Sequence, residues 1–470
     1  MHSDFIQGLI DVLGSDGVLQ HPTELEPYLT DWRAIFKGQA LAVVFPKTSS
    51  EVQAIVQLCQ EFAIAIVPQG GNTNLTGSAT PEKTGQQIVL STKRMNKIRS
   101  IDLENLTMVV EAGCILQTIQ EKAAQLGLLF PLSLAAEGSC TIGGNLATNA
   151  GGINVLRYGN ARDLCLGIEA VTAGGELLDG LRGLRKDNTG YDLRNLIIGS
   201  EGTLAIITAA VIKLFPAPIN RCAAYIAVND YSVIVQLLHA LQKKAANELC
   251  AFEIMSKESL TLTQAHFPQF SHPIFNQSEY TLLIELAEFD QNSIAHQLLE
   301  DVLGVELENG NIQDVLIATS LTQVKQFWAI REHITLAQAK ESGNIKFDIS
   351  FETSKIGPFI QSTSQLLMER YPNIRIINFG HFGDGNLHFN LCPPIGVDQN
   401  YFTQHEESIS ALVYDQISLF NGSISAEHGI GQLKRDYLAK HRGNIAYQMM
   451  QDIKKTLDPN HLLNPHKVLR

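Results

Sequence analysis

Apolar positions in this chain follow two different periods, and the change of period marks its elements. Residues 41–45 and 64–67 are short apolar runs, and between them Val52, Ile55, Val56 and Cys59 recur at the spacing of one helix face. Thr48 and Glu51 form a capping box at the start of that helix. The pattern predicts strand, helix, strand, closed by the loop PQGGNTNLTG at 68–77. Further along, 280–285 and 344–351 read as strands, and 293–303 and 321–340 as helices. In the second of these strands Ile345, Phe347, Ile349 and Phe351 alternate with Lys346, Asp348 and Ser350. That alternation predicts one buried face and one polar face, with Lys346 on the polar one. Asn386, His388 and Asn390 alternate with Leu387 and Phe389 in the same way. VIKLFPAPIN at 211–220 carries two prolines and reads as a domain exit. The expected fold class is α+β in three parts: 1–216, a sheet domain with helices on one face over 217–419, and a mainly helical segment over 420–470.

Composition narrows the class of partner. At 470 residues the chain is too long for one ordinary domain, and 45% hydrophobic residues give ample material for large cores. A formal charge of -13 argues against nucleic acid or an anionic membrane surface. The sequence has no apolar run of the length a spanning helix needs, roughly 18 residues, and MHSDFIQGLIDVLG lacks the basic start of a signal peptide. Seven cysteines without a CxxC pair point to reduced thiols and a cytoplasmic location.

Candidate chemistry sits in three places. HFGDGNLHFN at 381–390 and SAEHG at 425–429 supply two imidazoles, a carboxylate and a further imidazole. His381, His388 and Glu427 are the expected ligands of a divalent metal, because three protein ligands of these types leave a position open for substrate. His428 is then placed to act as general base. Arg331 and Thr335, four apart in WAIREHIT, share a helix face, and Arg331 and Lys346 offer positive charge for a carboxylate. The N-terminal half holds Gly-rich segments: Gly70 and Gly71 with Asn72, Thr73 and Asn74, then EGSCTIGGNLATNAGGINVLRYGN at 137–160, then GSEGTLAIIT at 199–208. Six Gly and four Asn in the 24 residues of the second are too many for a regular element, and predict backbone wrapped around an extended ligand. None is a GxGxxG or a P-loop, so the expectation is a large nucleotide cofactor bound by another route.

Together PQGGNTNL, GSCTIGGNLATNAGG, RYGN, LRKDNTGYDL, IGSEGTLAIIT, WAIREHIT, HFGDGNLHFN and SAEHGIG resemble the FAD-linked D-2-hydroxyacid dehydrogenases of the vanillyl-alcohol-oxidase superfamily, nearest to their D-2-hydroxyglutarate dehydrogenase branch. The resemblance runs from about residue 40 to the C-terminus. It implies a two-subdomain PCMH-type FAD-binding domain, an antiparallel-sheet substrate domain, and a helical C-terminal segment packing near the flavin. It assigns FAD binding to Gln69, Gly70, Gly71, Asn72, Thr73, Asn74, Gly138, Ser139, Thr141, Ile142, Gly144, Asn145, Asn149, Gly151, Gly152, Glu201, Gly202, Ile206 and Ile207. Arg331, Thr335, Lys346 and Asn390 match positions that hold substrate, His381, His388 and Glu427 match metal ligands, and His428 matches the base. Asn74, Ser78, Ala79 and His466 stand where the family pattern has Gly. No histidine matches a covalent flavin link, so non-covalent FAD is expected.

The expected reaction oxidises a D-2-hydroxy acid, 2-hydroxyglutarate foremost, to its 2-oxo acid. Zinc activates the hydroxyl, His428 takes its proton, and hydride passes to flavin N5. D-Lactate and D-malate are the alternative substrates. Without a CxxCH or a cysteine cluster, the acceptor is external: an electron-transfer flavoprotein or a quinone-linked carrier. The family suggests a homodimer. Two rival readings are a flavin-free metallohydrolase on the same His/His/Glu set and a non-enzymatic flavin- or metal-binding regulator. The first leaves the Gly-rich half unexplained, and the second leaves Arg331, Lys346 and His428 unexplained.

Overall fold

The computed structural model describes residues 2–341, 343–397 and 401–470, apart from the side chains of 402 and 403. The chain forms two compact units. The first combines the residues up to Gly151 with Gly159–Pro216 and Glu427–Arg470; the second comprises Gly152–Tyr158 and Ala217–Ala426.

The first unit holds two sheets of different character. One has four strands in the order Val18–Leu19, Ala42–Val44, Gln87–Ser91, Ala65–Gln69, and the last three run parallel. Parallel strands need a crossover, and the helix Ser49–Phe62 supplies it between Ala42–Val44 and Ala65–Gln69, which flank Gln87–Ser91. Thr48 Oγ1 accepts the Glu51 amide, while the Glu51 carboxylate reaches back to the amide of Lys47, one residue before the cap. Val52, Ile55, Val56 and Cys59 are fully buried against Phe5, Leu9, Ile66 and Ile88. Each such aliphatic side chain contributes about 1.5–3 kcal/mol. The other sheet is antiparallel, in the order Ile98–Asp102, Thr107–Glu111, Ala205–Lys213, Cys165–Thr172, Leu177–Asp179. The C-terminal stretch belongs to this unit: Leu463 bridges Ile66, and the Asn464 amide donates to the Ile66 carbonyl.

The glycine-dense stretch is more regular than its composition predicts. Ile142–Ala147 is a short helix and Val155–Tyr158 is a single turn. Gly143 is what lets the first of these lie against the sheet, since a Cβ there would come within 2.6 Å of Ala112 Cβ.

The second unit is built on one antiparallel sheet of seven strands, in the order Asp314–Ile317, Asn220–Val228, Tyr280–Glu288, Leu249–Ser256, Arg375–Gly380, Asn386–Cys392, Ile345–Ser350. Helices cover both of its faces, not one. Phe327 of the helix Leu321–Ala339 stacks on Tyr225, whereas Phe359 of the helix Thr353–Arg370 meets Phe389 on the opposite side. For this reason the strand Ile345–Ser350 has no open polar face: Asp348 is 2% exposed and Lys346 half-buried.

Candidate functional site

A cavity of about 270 Å³ lies in the first unit, walled mainly by the loop after Ala65–Gln69, the glycine-dense stretch, residues 197–207, and the pair Glu427 and His428. Gln69, Gly70, Gly71, Asn72, Thr73, Asn74, Thr141, Gly144, Asn145, Gly151, Glu201, Gly202, Ile206 and Ile207 line it. Five other residues assigned to FAD do not. Gly138 and Ser139 are exposed, Ile142 is buried in the short helix, Asn149 accepts the Arg162 amide, and Gly152 falls in the second unit. A Cβ on Gly71 would sit 2.0 Å from the Ser139 carbonyl oxygen, so the two glycine-bearing walls touch through main chain.

The cavity wall carries polar atoms that need a ligand. Thr92 Oγ1, Thr141 Oγ1, Asn145 Oδ1 and Ser200 Oγ are buried without a hydrogen-bond partner, and all four residues line the cavity. An unsatisfied buried polar atom costs about 1–3 kcal/mol, so four around one space fit a cofactor rich in hydroxyl and phosphate oxygens. The side-chain donors of Asn72 are already engaged, by the carbonyls of Pro27 and Thr30.

His428 is fixed in this wall through its main chain. Its carbonyl accepts from Asn74 Nδ2 at 3.0 Å and from Thr76 Oγ1 at 3.3 Å. Asn74 Oδ1 in turn accepts from the amides of Thr76 and Ser78. Asn74 therefore ties the loop to the histidine. Just beyond, Glu201 accepts the amides of Ile430 and Gly431 at 2.7 and 2.9 Å.

In the second unit, two imidazoles and a guanidinium gather on carboxylates. The His381 and His388 rings stand with centroids 5.7 Å apart. His381 Nδ1 lies 2.6 Å from Glu253 Oε1, and His388 Nδ1 lies 3.9 Å from Asp348 Oδ1. At His381 the carboxylate on Nδ1 fixes the neutral ring with its lone pair on Nε2, the arrangement usual for metal-binding histidines. The donor set therefore fits a divalent cation. Arg331 donates through Nε to Glu253 Oε2 at 2.9 Å, with Nη2 2.8 Å from the same oxygen, and lies 4.7 Å over the Phe379 ring. Burial pushes the Glu253 carboxyl up, but His381 and Arg331 outweigh it and hold the group below its usual range. Burial also pushes Asp384, in the turn between the histidines, up to about 6.

Thr335 follows Arg331 on the same face of the helix Leu321–Ala339, and Gln338 continues that face. Asn390 donates to Gln338 Oε1 at 2.9 Å and accepts the Phe347 amide, and it stands opposite Lys346 in register. Sequence reading missed Glu253 and Gln338. Glu253 had a signal, as the one charge in the otherwise uncharged strand LCAFEIMS. Gln338 had none, since a glutamine on a helix reads as solvent-facing.

Residues 40–180 match the family described as FAD binding domain, and residues 217–468 match FAD linked oxidases, C-terminal domain. The mitochondrial D-2-hydroxyglutarate dehydrogenase of Arabidopsis thaliana is 38% identical over 459 residues, 98% of this chain and 80% of that protein. The D-2-hydroxyglutarate dehydrogenase of Xanthomonas citri pv. viticola is 38% identical over 449 residues, 95% of this chain and 93% of that protein. Among solved structures, p-cresol methylhydroxylase with substrate bound superposes with a TM-score of 0.78 at 19% identity, covering 99% of this chain and 96% of its own. That likeness is one of fold.

Proposed function

This chain belongs to the family of FAD-linked oxidases, and we propose that within it the chain oxidises D-2-hydroxyglutarate to 2-oxoglutarate. It is an FAD-dependent oxidoreductase. The observation that carries the finer reading is His428, the one histidine in the wall of the cavity, whose Gly70–Gly71 loop and glycine-dense stretch fall in the FAD-binding match.

FAD bound in that cavity supplies the two-electron acceptor for the substrate C2 hydrogen. The Gly70–Gly71 loop, Thr141, Asn145 and Ser200 would hold it non-covalently. A divalent cation, zinc by its donor set, would be held by His381, His388 and Glu427, and supplies the positive charge that acidifies a hydroxyl. The Ala426 amide donates to the Asp348 carbonyl, Asp348 pairs in register with His388, and Glu427 is the next residue. His428 takes the hydroxyl proton of the substrate. Arg331 and Thr335 hold one carboxylate by directed hydrogen bonds, and Lys346 with Asn390 holds the other. A dicarboxylate uses both sets, which favours hydroxyglutarate over lactate.

The electrons leave to an external acceptor, an electron-transfer flavoprotein or a quinone-linked carrier, and the working form is a homodimer. Among the described residues no helix is long and apolar enough to cross a membrane, and all seven cysteines are free and buried. That supports a reducing, cytoplasmic setting.

The test is an anaerobic visible spectrum of the zinc-supplemented protein, before and after each D-2-hydroxy acid. Bleaching of the flavin band by hydroxyglutarate at the lowest concentration is expected, with turnover abolished by chelator while the band remains. Bleaching by lactate first moves the substrate, and a colourless protein that takes up no added FAD sinks the reading.

A further inference from the structure

Glu253 is the only charge in the strand Leu249–Ser256, all of whose residues are buried, and it is 1% exposed itself. Stability does not call for it, because a buried ion pair is often replaced by well-packed apolar side chains at no loss. What the carboxylate does instead is divide its two oxygens between two partners. Oε1 takes His381 Nδ1 at 2.6 Å, and Oε2 takes Arg331 Nε at 2.9 Å, with Nη2 2.8 Å from the same oxygen.

We propose that Glu253 is a positioning residue that locks the metal ligand His381 and the substrate ligand Arg331 into one rigid unit. The inference rests on the roles given to those two residues above. For His381, a carboxylate on Nδ1 fixes the tautomer and ring plane and makes Nε2 more basic, which strengthens a metal bond. For Arg331, the Nε hydrogen bond and the close approach of Nη2 seat Glu253 on one edge of the guanidinium. Its Cζ lies 4.7 Å over the Phe379 ring, which packs the group in place. The Nη1–Nη2 edge is then held in one direction, so a substrate carboxylate meets a preset fork instead of a swinging one. Glu253 also neutralises Arg331, so Arg331 selects by geometry and the net positive charge for a second carboxylate falls to Lys346. Because both partners hang on one carboxylate, disturbing it should weaken metal and substrate binding together.

The test uses the full-length FAD-loaded protein and two readouts besides turnover: the zinc dissociation constant by chelator competition, and FAD content from the visible spectrum. Glu253→Gln keeps the size but turns an amide NH₂ toward a donor. It is expected to weaken zinc binding about 10–100-fold and to raise KM for D-2-hydroxyglutarate about tenfold or more, the KM effect exceeding the kcat effect, with FAD content unchanged. Glu253→Asp keeps both oxygens on a shorter stem. It is expected to recover part of both losses, and it carries the test should Glu253→Gln fail to fold. A merely structural role would lower the melting temperature and leave the zinc constant and KM of the folded protein alone. Folded variants that bind zinc and hydroxyglutarate like wild type overturn the inference by itself. Wild-type protein that takes up no zinc overturns the metal reading first, and this coupling with it.

Discussion

The Ile430 amide donates to Glu201 Oε1 at 2.7 Å, holding a turn whose next residue, Gly431, donates to the other oxygen. Gly429 and Gly431 both have φ in the left-handed region, +79° and +52°. Gly429 also has no room for a side chain, as a Cβ there would lie 2.7 Å from Glu201 Oε1. A buried carboxylate therefore shapes the chain directly after His428. Burial pushes its carboxyl up to about 7 from 4.5, against the pull of the two amides and Lys434.

That shift sets a pH dependence. The folded state holds the Glu201 proton more tightly than the unfolded chain does. The stability this contributes is complete below about 4.5 and is lost as pH rises through about 7, a change on the order of 3 kcal/mol. Denaturant melts of FAD-free protein across this range should show the decline, and Glu201→Gln should flatten it. A Glu201→Gln profile parallel to that of wild type would exclude the assignment.

His428→Asn should leave the segment in place, because Asn74 and Thr76 bind the carbonyl of residue 428 and not its ring. FAD content should be unchanged while kcat falls about 10²–10⁴-fold, the usual contribution of a general base. Turnover near wild type would remove His428 from the mechanism.

Asn74→Gly removes four hydrogen bonds: to His428, to Thr76 twice, and to Ser78. With the side chain gone, both ends of the network lose partners, and a loss of about 2 kcal/mol in stability is expected. Turnover should drop about tenfold as the histidine segment loosens. Melting curves and kcat measured on the same preparation check both, and an unchanged kcat would mean that Thr76 alone suffices.

Lys346→Ala should separate substrates by charge. Losing one charged hydrogen bond costs about 1.5–3 kcal/mol, a rise in KM of roughly 10–150-fold for a dicarboxylate. D-Lactate, with no second carboxylate, should be affected much less. Equal losses for both would argue that Lys346 does not contact the distal carboxylate.

Much of this was readable from the chain. The helix after Thr48 and the alternation of Asn386, His388 and Asn390 are local patterns, fixed by propensity and period over a few residues. Glu253 had one local mark, a lone charge in an uncharged strand, but its partners lie 78 and 128 residues away in sequence. Nothing local says which groups such a carboxylate meets. Lys346 was read as projecting from an open strand face because alternation reports the pattern of one strand. The helix Leu321–Ala339 covers that face through Gln338 and Asn390, an outcome that depends on residues outside the strand. The short helix Ile142–Ala147 formed despite its glycines because close packing against Ala112 outweighs their low propensity.

The first unit is completed by Glu427–Arg470, with Leu463 and Asn464 joined to Ile66 and the Asn464 side chain spanning the carbonyls of Ser78 and Glu201. During synthesis the N-terminal part of this unit must therefore wait, with an unfilled sheet edge and an open cavity, while all of 217–426 is made. Contacts so distant in sequence are slow to form and leave apolar surface exposed meanwhile. Uptake of a cofactor that needs the complete cavity wall therefore follows synthesis of the segment that carries Glu427 and His428.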